Sequence, residues 1–337
     1  MKPIRIAIAC PDTEVNGTDF HRLISPMWTY ATAPDFEVER CVDIIGLTQK
    51  QLDGLDFLIV SRHLTRVPNK MPRAKAMIKN SPCKLIVDID DHWHLPTEHP
   101  GSASWNAQGG GKAMLETMKM ADAIWTTTTV LKSAIDALNN RAQCHVVANR
   151  INRHDPQWAT ACIKKPSVEI RLGVVAIGSA WMNLIELNEG IRAMNAQPFW
   201  RIKAIGVDDA HRNHVKMLLG TDRIDFLPWA SPFEYAAHYR DIDLMLCPLM
   251  RNDFNKYRSP IKILECSRTG TAILAENYGP YQGVGQIEHR GWNALPQIVS
   301  EMLNKPPHIA PAMTRIYFPK NQTPNAWKPC GNFWCGN

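Results

Sequence analysis

The sequence predicts an α/β protein made of two doubly wound parallel sheets. Three observations carry this reading. Short β-rich apolar runs alternate with helix-compatible segments along most of the chain; the alternation fades once, near 153–167, and then restarts; and 337 residues exceed what a single hydrophobic core usually spans.

Taken in order, the opening MKPIRIAIAC has a basic start and an apolar run too short for a secretory signal, and it alternates like a strand over 4–9. Runs of strand length and composition follow at 36–41, 57–61, 84–89, 123–126 and 144–147. Between them, 19–30, 73–79, 112–120 and 130–138 have helical spacing, with Pro26 expected to interrupt or kink the first. RHDPQWATACIKKPS, at 153–167, contains two prolines and a Lys-Lys pair and reads as a linker, so the expected domains are 1–155 and 156–305. Strands at 170–177, 200–205 and 223–226 and helices at 181–194, 208–218 and 231–239 then repeat the pattern. After residue 304 the chain becomes Pro-rich and irregular.

Composition narrows the function classes. With 45% hydrophobic and 21% charged residues the chain is ordinary for a globular protein, and no apolar run approaches the roughly 18–20 residues that a membrane helix needs. Nine cysteines occur without a C-x-x-C pair, and Cys10, Cys41 and Cys247 fall in or beside strand-like runs, which predicts buried thiols and a cytoplasmic location. Cys330 and Cys335 flank a GNFW turn but are too few for a zinc site. The net charge of +6 suits anionic substrates and permits nucleic acid, although no dense basic block is present. Phosphate-loop, serine-hydrolase and zinc-protease motifs are all absent.

The stretch DIDLMLCPLMRNDFNKYRSPIKILECSRTGTAILA, at 241–275, carries the most chemistry. It reads as a strand ended by Pro248, a loop bearing Arg251, Lys256 and Arg258, a helix starting at Ser259-Pro260, a Gly270 stop and a second strand. A helix N-terminus offers free N–H groups and about half a positive charge. Lys262 lies in its first turn and Glu265 three residues later on the same face, so a phosphate and a ribose would suit the pair.

This S-P-I-K-x-L-E-x-x-x-x-G stretch resembles the retaining GT-B glycosyltransferases of the sucrose-synthase and mannosyltransferase type. The resemblance implies two Rossmann-like domains facing across a cleft, a nucleotide-diphosphate sugar as donor substrate, no metal and no other cofactor. It further implies that Lys262 and the Ser259 helix start hold the donor diphosphate, with Lys256 or Arg258 assisting, and that Glu265 binds the ribose hydroxyls. In that family a second glutamate, eight positions before the ribose glutamate, grips the transferred sugar; here that position is Tyr257. The family also packs its C-terminal segment back across both domains, which is the expectation for 306–337.

Three further loops follow predicted strands, where ligands of open α/β sheets sit. PDTEVNGTDFHR, at 11–22, loosely matches the cleft loop of short phage-encoded members, and places Gly17, His21 and Arg22 on the acceptor side. DIDDHWH, at 88–94, concentrates acids that resist unpaired burial, so they must meet solvent, cations or a polar substrate. By the same resemblance Asp90 and Asp91 would contact the acceptor hydroxyl, with His92 beside them; a divalent-metal site formed by Asp88, Asp90, Asp91, His92 and His94 is the alternative. Gly178 and Ser179, in IGSA, form a small-residue turn that in the family lines the donor phosphates. Trp229, in LPWAS, reads more readily as core than as a base-stacking residue. The expected activity is sugar transfer to an acceptor hydroxyl with retention, the acceptor being a hydroxymethylated pyrimidine of phage DNA in the host cytoplasm, a cell-surface glycan or a small metabolite. A non-catalytic nucleotide-sugar binder and a nucleotide-sugar epimerase remain as the other classes.

Overall fold

The computed structural model describes residues 2–10, 15–41, 43–65, 67–152, 155–282 and 291–304. Eleven strands form two separate parallel sheets. The first contains β1 (Ile4–Ala9), β2 (Phe36–Cys41), β3 (Phe57–Ser61), β4 (Lys84–Ile89), β5 (Ala123–Thr126) and β6 (Gln143–Val146), in the order β2-β1-β3-β4-β5-β6. The second contains β7 (Ile170–Val175), β8 (Trp200–Ile205), β9 (Ile224–Leu227), β10 (Leu244–Cys247) and β11 (Ala272–Ala275), in the order β11-β10-β7-β8-β9. Each order reverses direction beside the first strand of its sheet, between β1 and β3 and between β7 and β10. Such reversals open a crevice at the strand carboxyl ends.

The strands form where apolar runs are flanked by residues that end them. Because helices cover both faces, several strands are apolar on both sides, and all four residues of β10 and of β11 are buried; β8 instead alternates, with Arg201 and Lys203 half-buried between buried neighbours. Each sheet has buried clusters on both faces. Leu58, Val60, Leu85 and Val87 lie on one side of the first sheet and Ile6, Ile8 and Ile59 on the other. Leu172, Ile202 and Leu246 face one cluster of the second sheet, and Met245, Ile273 and Tyr239 the other.

Pro26 marks an interruption of its helix, as expected: the helical run that starts at Gly17 widens to a π-helical turn over Phe20–Ile24 and returns to α-helix over Ser25–Ala31, where the missing N–H is accommodated. Two other local features differ from the sequence expectation. The segment expected as a linker contains the helix Pro156–Ala161, because the Asp155 side chain caps it and proline opens it; Trp158 from this helix is buried in a core of the second sheet. We therefore retain 155/156 as our proposed domain boundary. The expected helix over 181–194 is a 3-10 segment, Gly178–Leu187, that becomes α-helical only over Asn188–Met194. The expectations for 306–337, Cys330 and Cys335 lie outside the described residues. No described helix is long and apolar enough to cross a membrane.

Candidate active site in the interdomain cleft

The carboxyl ends of the two sheets face one another across a cleft of about 870 Å³. From the first half, Gly17, Thr18, His21, Arg22, Arg62, Asp90, Asp91 and His92 line it. From the second come Ile177, Asn183, Trp229, Tyr235, Arg258, Ser259, Lys262 and Glu265. All four loops singled out in the sequence therefore open onto one space.

The wall expected to take the donor is built on the helix Ile261–Thr269, which Gly270 closes in the left-handed conformation at φ 63°. Ser259 does not cap this helix. No side chain caps it at Pro260, and the Ser259 hydroxyl instead accepts from Asn149 Nδ2 at 2.7 Å, across the cleft. The helix start lines the cleft through Ser259, Ile261 and Lys262 and has no side-chain cap, a suitable arrangement for an anion. Lys262 Nζ donates to Glu265 Oε2 at 2.7 Å and to the Tyr235 hydroxyl at 2.6 Å. Burial works against the Lys262 ammonium, but the Glu265 carboxylate outweighs it and holds the lysine above its ordinary pKa. Arg258 joins the lining beside Phe254. Lys256 is exposed, lies over the Tyr257 ring and is not among the lining residues. Gly178 and Ser179 open the 3-10 segment that follows β7.

The opposite wall, expected to face the acceptor, rests on buried ion pairs. Arg22 forms a two-pronged pair with Asp88 and also donates to the Val147 carbonyl and to Asn149 Oδ1. Arg62, held at φ 67°, binds both oxygens of Asp90 at 2.7 and 2.8 Å and lies 3.5 Å from Asp91. A non-glycine residue at that φ is strained, which marks a place where the surrounding structure overrides local preference. The acids thus meet cations supplied by the chain, and Asp90 has neither oxygen free of Arg62. Asp91 retains 26% side-chain exposure in the cleft, and burial followed by the charge of Asp90 raises its pKa. Among the described residues, no group of three or more His, Cys, Asp and Glu side chains is placed to hold a metal ion. A Cβ added at Gly17 would meet no atom within 4 Å, so the space beside it is open.

Several cleft residues are not apparent from sequence motifs. Tyr235 and Tyr239 brace the Lys262–Glu265 pair, Arg62 holds Asp90, and Asn149 bonds Ser259 across the cleft. For Arg62 and Asn149 the only sequence signal is a position shortly after a strand, and Tyr235 and Tyr239, on a 3-10 segment, give none. Trp229 is a correction: it is 54% exposed and lines the cleft, because it lies in the loop after β9 rather than under the sheet. Tyr257 packs against the first domain's core and stacks on His92 at 4.8 Å and 13°, and His92 in turn stacks on Trp93 at 4.3 Å. The His94 backbone N–H donates to His92 Nδ1, which leaves the proton of the neutral ring on Nε2.

His21 is buried next to Glu265, and burial brings its pKa down from 6.5 to about 4, against the pull of the carboxylate. The unfolded chain takes up this proton near 6.5, so between pH 6.5 and about 4 the unfolded state binds more protons. The stabilisation is complete above 6.5 and is lost on acidification through that window, by up to ~3 kcal/mol. Denaturant titrations from pH 7 to 4 on wild type and His21→Asn are expected to show a shallower pH slope in the variant, and identical slopes would refute the assignment.

Two Rossmann-like sheets with their carboxyl ends facing a shared cleft define the GT-B fold, and solved structures agree. Sucrose-phosphate synthase from Thermosynechococcus elongatus superposes with a TM-score of 0.60 at 12% identity, covering 93% of this chain and 92% of that one. The α,α-trehalose 6-phosphate synthase from Burkholderia multivorans gives 0.55 at 9% identity, with 93% of each chain covered. Staphylococcus aureus TarM, solved in complex with UDP and α-GlcNAc-glycerol, gives 0.51 at 12% identity over 76% of this chain and 50% of that one. At such identities the likeness is one of fold. No family model and no curated protein matches the chain.

Proposed function

We propose that the chain is a glycosyltransferase that moves a sugar from a nucleotide-diphosphate donor, held by the second domain, to an acceptor hydroxyl presented by the first. One observation carries the reading: an uncapped helix N-terminus opens on the cleft of a GT-B fold, with Lys262 in its first turn and Glu265 one turn further on. The similar synthases and the UDP-bound TarM complex support it. In the proposed reaction the bond from the sugar's anomeric carbon to the diphosphate breaks and a bond to the acceptor oxygen forms on the same face. The departing diphosphate oxygen takes the acceptor proton, so no protein nucleophile and no metal are needed. Lys262, Arg258 and the helix N-terminus meet the growing phosphate charge, while Asp91 orients the acceptor hydroxyl.

The test is a thermal-shift panel of nucleoside diphosphates and their sugars on wild type and Glu265→Ala. A ligand at 100 times its dissociation constant adds about 2.7 kcal/mol, so a base-selective shift that the variant loses is expected. No shift with any nucleotide would overturn the donor site, and binding without transfer would favour a non-catalytic binder. Following the anomeric configuration of the product tests retention. The chain's +6 charge keeps DNA bearing hydroxymethylated pyrimidines among the proposed acceptors, beside glycans and metabolites. A steep fall in acceptor affinity with salt would support DNA, and a flat profile would exclude it.

A further inference from the structure

The two oxygens of Glu265 have unequal surroundings. Oε2 accepts from the Tyr239 hydroxyl at 2.5 Å and from Lys262 Nζ at 2.7 Å. No described residue donates a hydrogen bond to Oε1; His21 Nε2, on its side of the carboxylate, is 3.7 Å away, beyond hydrogen-bond reach. Tyr239 cannot readily release its oxygen. Its ring is fully buried and packs 6.1 Å from that of Trp158, and its backbone carbonyl accepts from Lys164 Nζ at 2.7 Å. Tyr235, four residues earlier on the same 3-10 segment, takes the other member of the pair, accepting from Lys262 at 2.6 Å beneath a cation-π contact of 4.9 Å. Each charge of the pair therefore has its own tyrosine.

We propose that Tyr239 is a positioning residue that makes Glu265 a single-oxygen reader of the donor ribose. With Oε2 committed, Oε1 alone accepts from one hydroxyl of the ribose diol, whereas a carboxylate with both oxygens free would engage the 2′ and 3′ hydroxyls together. The ligand class is a ribonucleoside diphosphate recognised at one of its two ribose hydroxyls. This rests on the donor site proposed above.

The test is calorimetric titration of the full chain with adenosine, guanosine and uridine diphosphates and their 2′-deoxy and 3′-deoxy forms. For the diphosphate that binds wild type, one deoxy form is expected to bind at least tenfold more weakly and the other to stay within about threefold of the parent. In Tyr239→Phe, Oε2 keeps Lys262 but loses its second donor, so it can accept from the other hydroxyl and the two deoxy forms should converge to within about threefold of each other. Tyr235→Phe, which leaves the Glu265 contact in place, should keep the wild-type asymmetry. Equal losses for both deoxy forms in wild type, or an unchanged asymmetry in Tyr239→Phe, overturn the inference while leaving the donor site standing. The wild-type comparison decides the matter even if the phenylalanine variant does not fold. Failure of all three diphosphates to bind overturns the donor site and the inference with it.

Discussion

Lys262→Met is expected to reduce sugar transfer by about 10²–10³-fold and to lower stability by roughly 3–5 kcal/mol. The two losses have separate origins. The lysine is the nearest cation to Glu265, whose side chain is only 3% exposed, so its removal strands a carboxylate that retains a single hydrogen bond from Tyr239. Under the proposed function, its catalytic loss comes from the diphosphate charge that grows in the transition state. Combining Lys262→Met with Glu265→Gln removes the stranded charge, so the double variant should recover much of the stability and none of the transfer. Urea titration and turnover measured on the three variants check this. A double variant that regains transfer would remove Lys262 from the chemistry, and a single variant as stable as wild type would mean that the pair is solvated.

Arg22→Met carries the second large effect, again roughly 3–5 kcal/mol. Arg22 and Asp88 have side chains 3% and 1% exposed, so neither charge has water to turn to. Replacing both, as Arg22→Met with Asp88→Asn, should cost less than the arginine change alone, because a buried pair is more damaging when broken than when replaced. The effect should also reach the donor side. Arg22 holds Asn149, and Asn149 donates to the Ser259 hydroxyl beside the donor helix, so nucleotide affinity should fall in Arg22→Met. Denaturation and nucleotide titration of the single and double variants measure both outcomes, and a single variant within 1 kcal/mol of wild type would contradict the burial argument.

What the sequence made legible depended on distance along the chain. Parallel strands buried on both faces are continuous apolar runs, so Phe57–Ser61 and Lys84–Ile89 could be read to the residue, and the edge strand Phe36–Cys41 by the alternation of Phe36 and Val38 with Glu37 and Glu39. The Lys262–Glu265 pair could be read as well, since three residues along a helix bring two side chains to one face. Arg22 and Asp88 are 66 positions apart and Tyr239 and Glu265 are 26 apart, and only the crossing of the chain through two sheets brings them together. The acidic loop therefore showed its need for partners without showing which cations supply them. Trp229 and the Pro156–Ala161 helix were misread for a related reason: a lone tryptophan and a helix of only six residues lack the periodicity that reveals burial.

The cleft joins distant parts of the chain, His21 lying beside Glu265, Asn149 bonding Ser259 and Phe20 meeting Phe233 edge to face at 5.0 Å. Seen as a sequence of events during synthesis, this assembly comes late. Each sheet can form from its own residues, but the wall that carries the donor helix emerges only after the first sheet is complete. Loop closure between the halves must then be achieved before any cross-cleft contact is gained. Binding competence is thus the final product of folding, and a chain with every strand in place but its halves undocked would have native-like secondary structure and half a site.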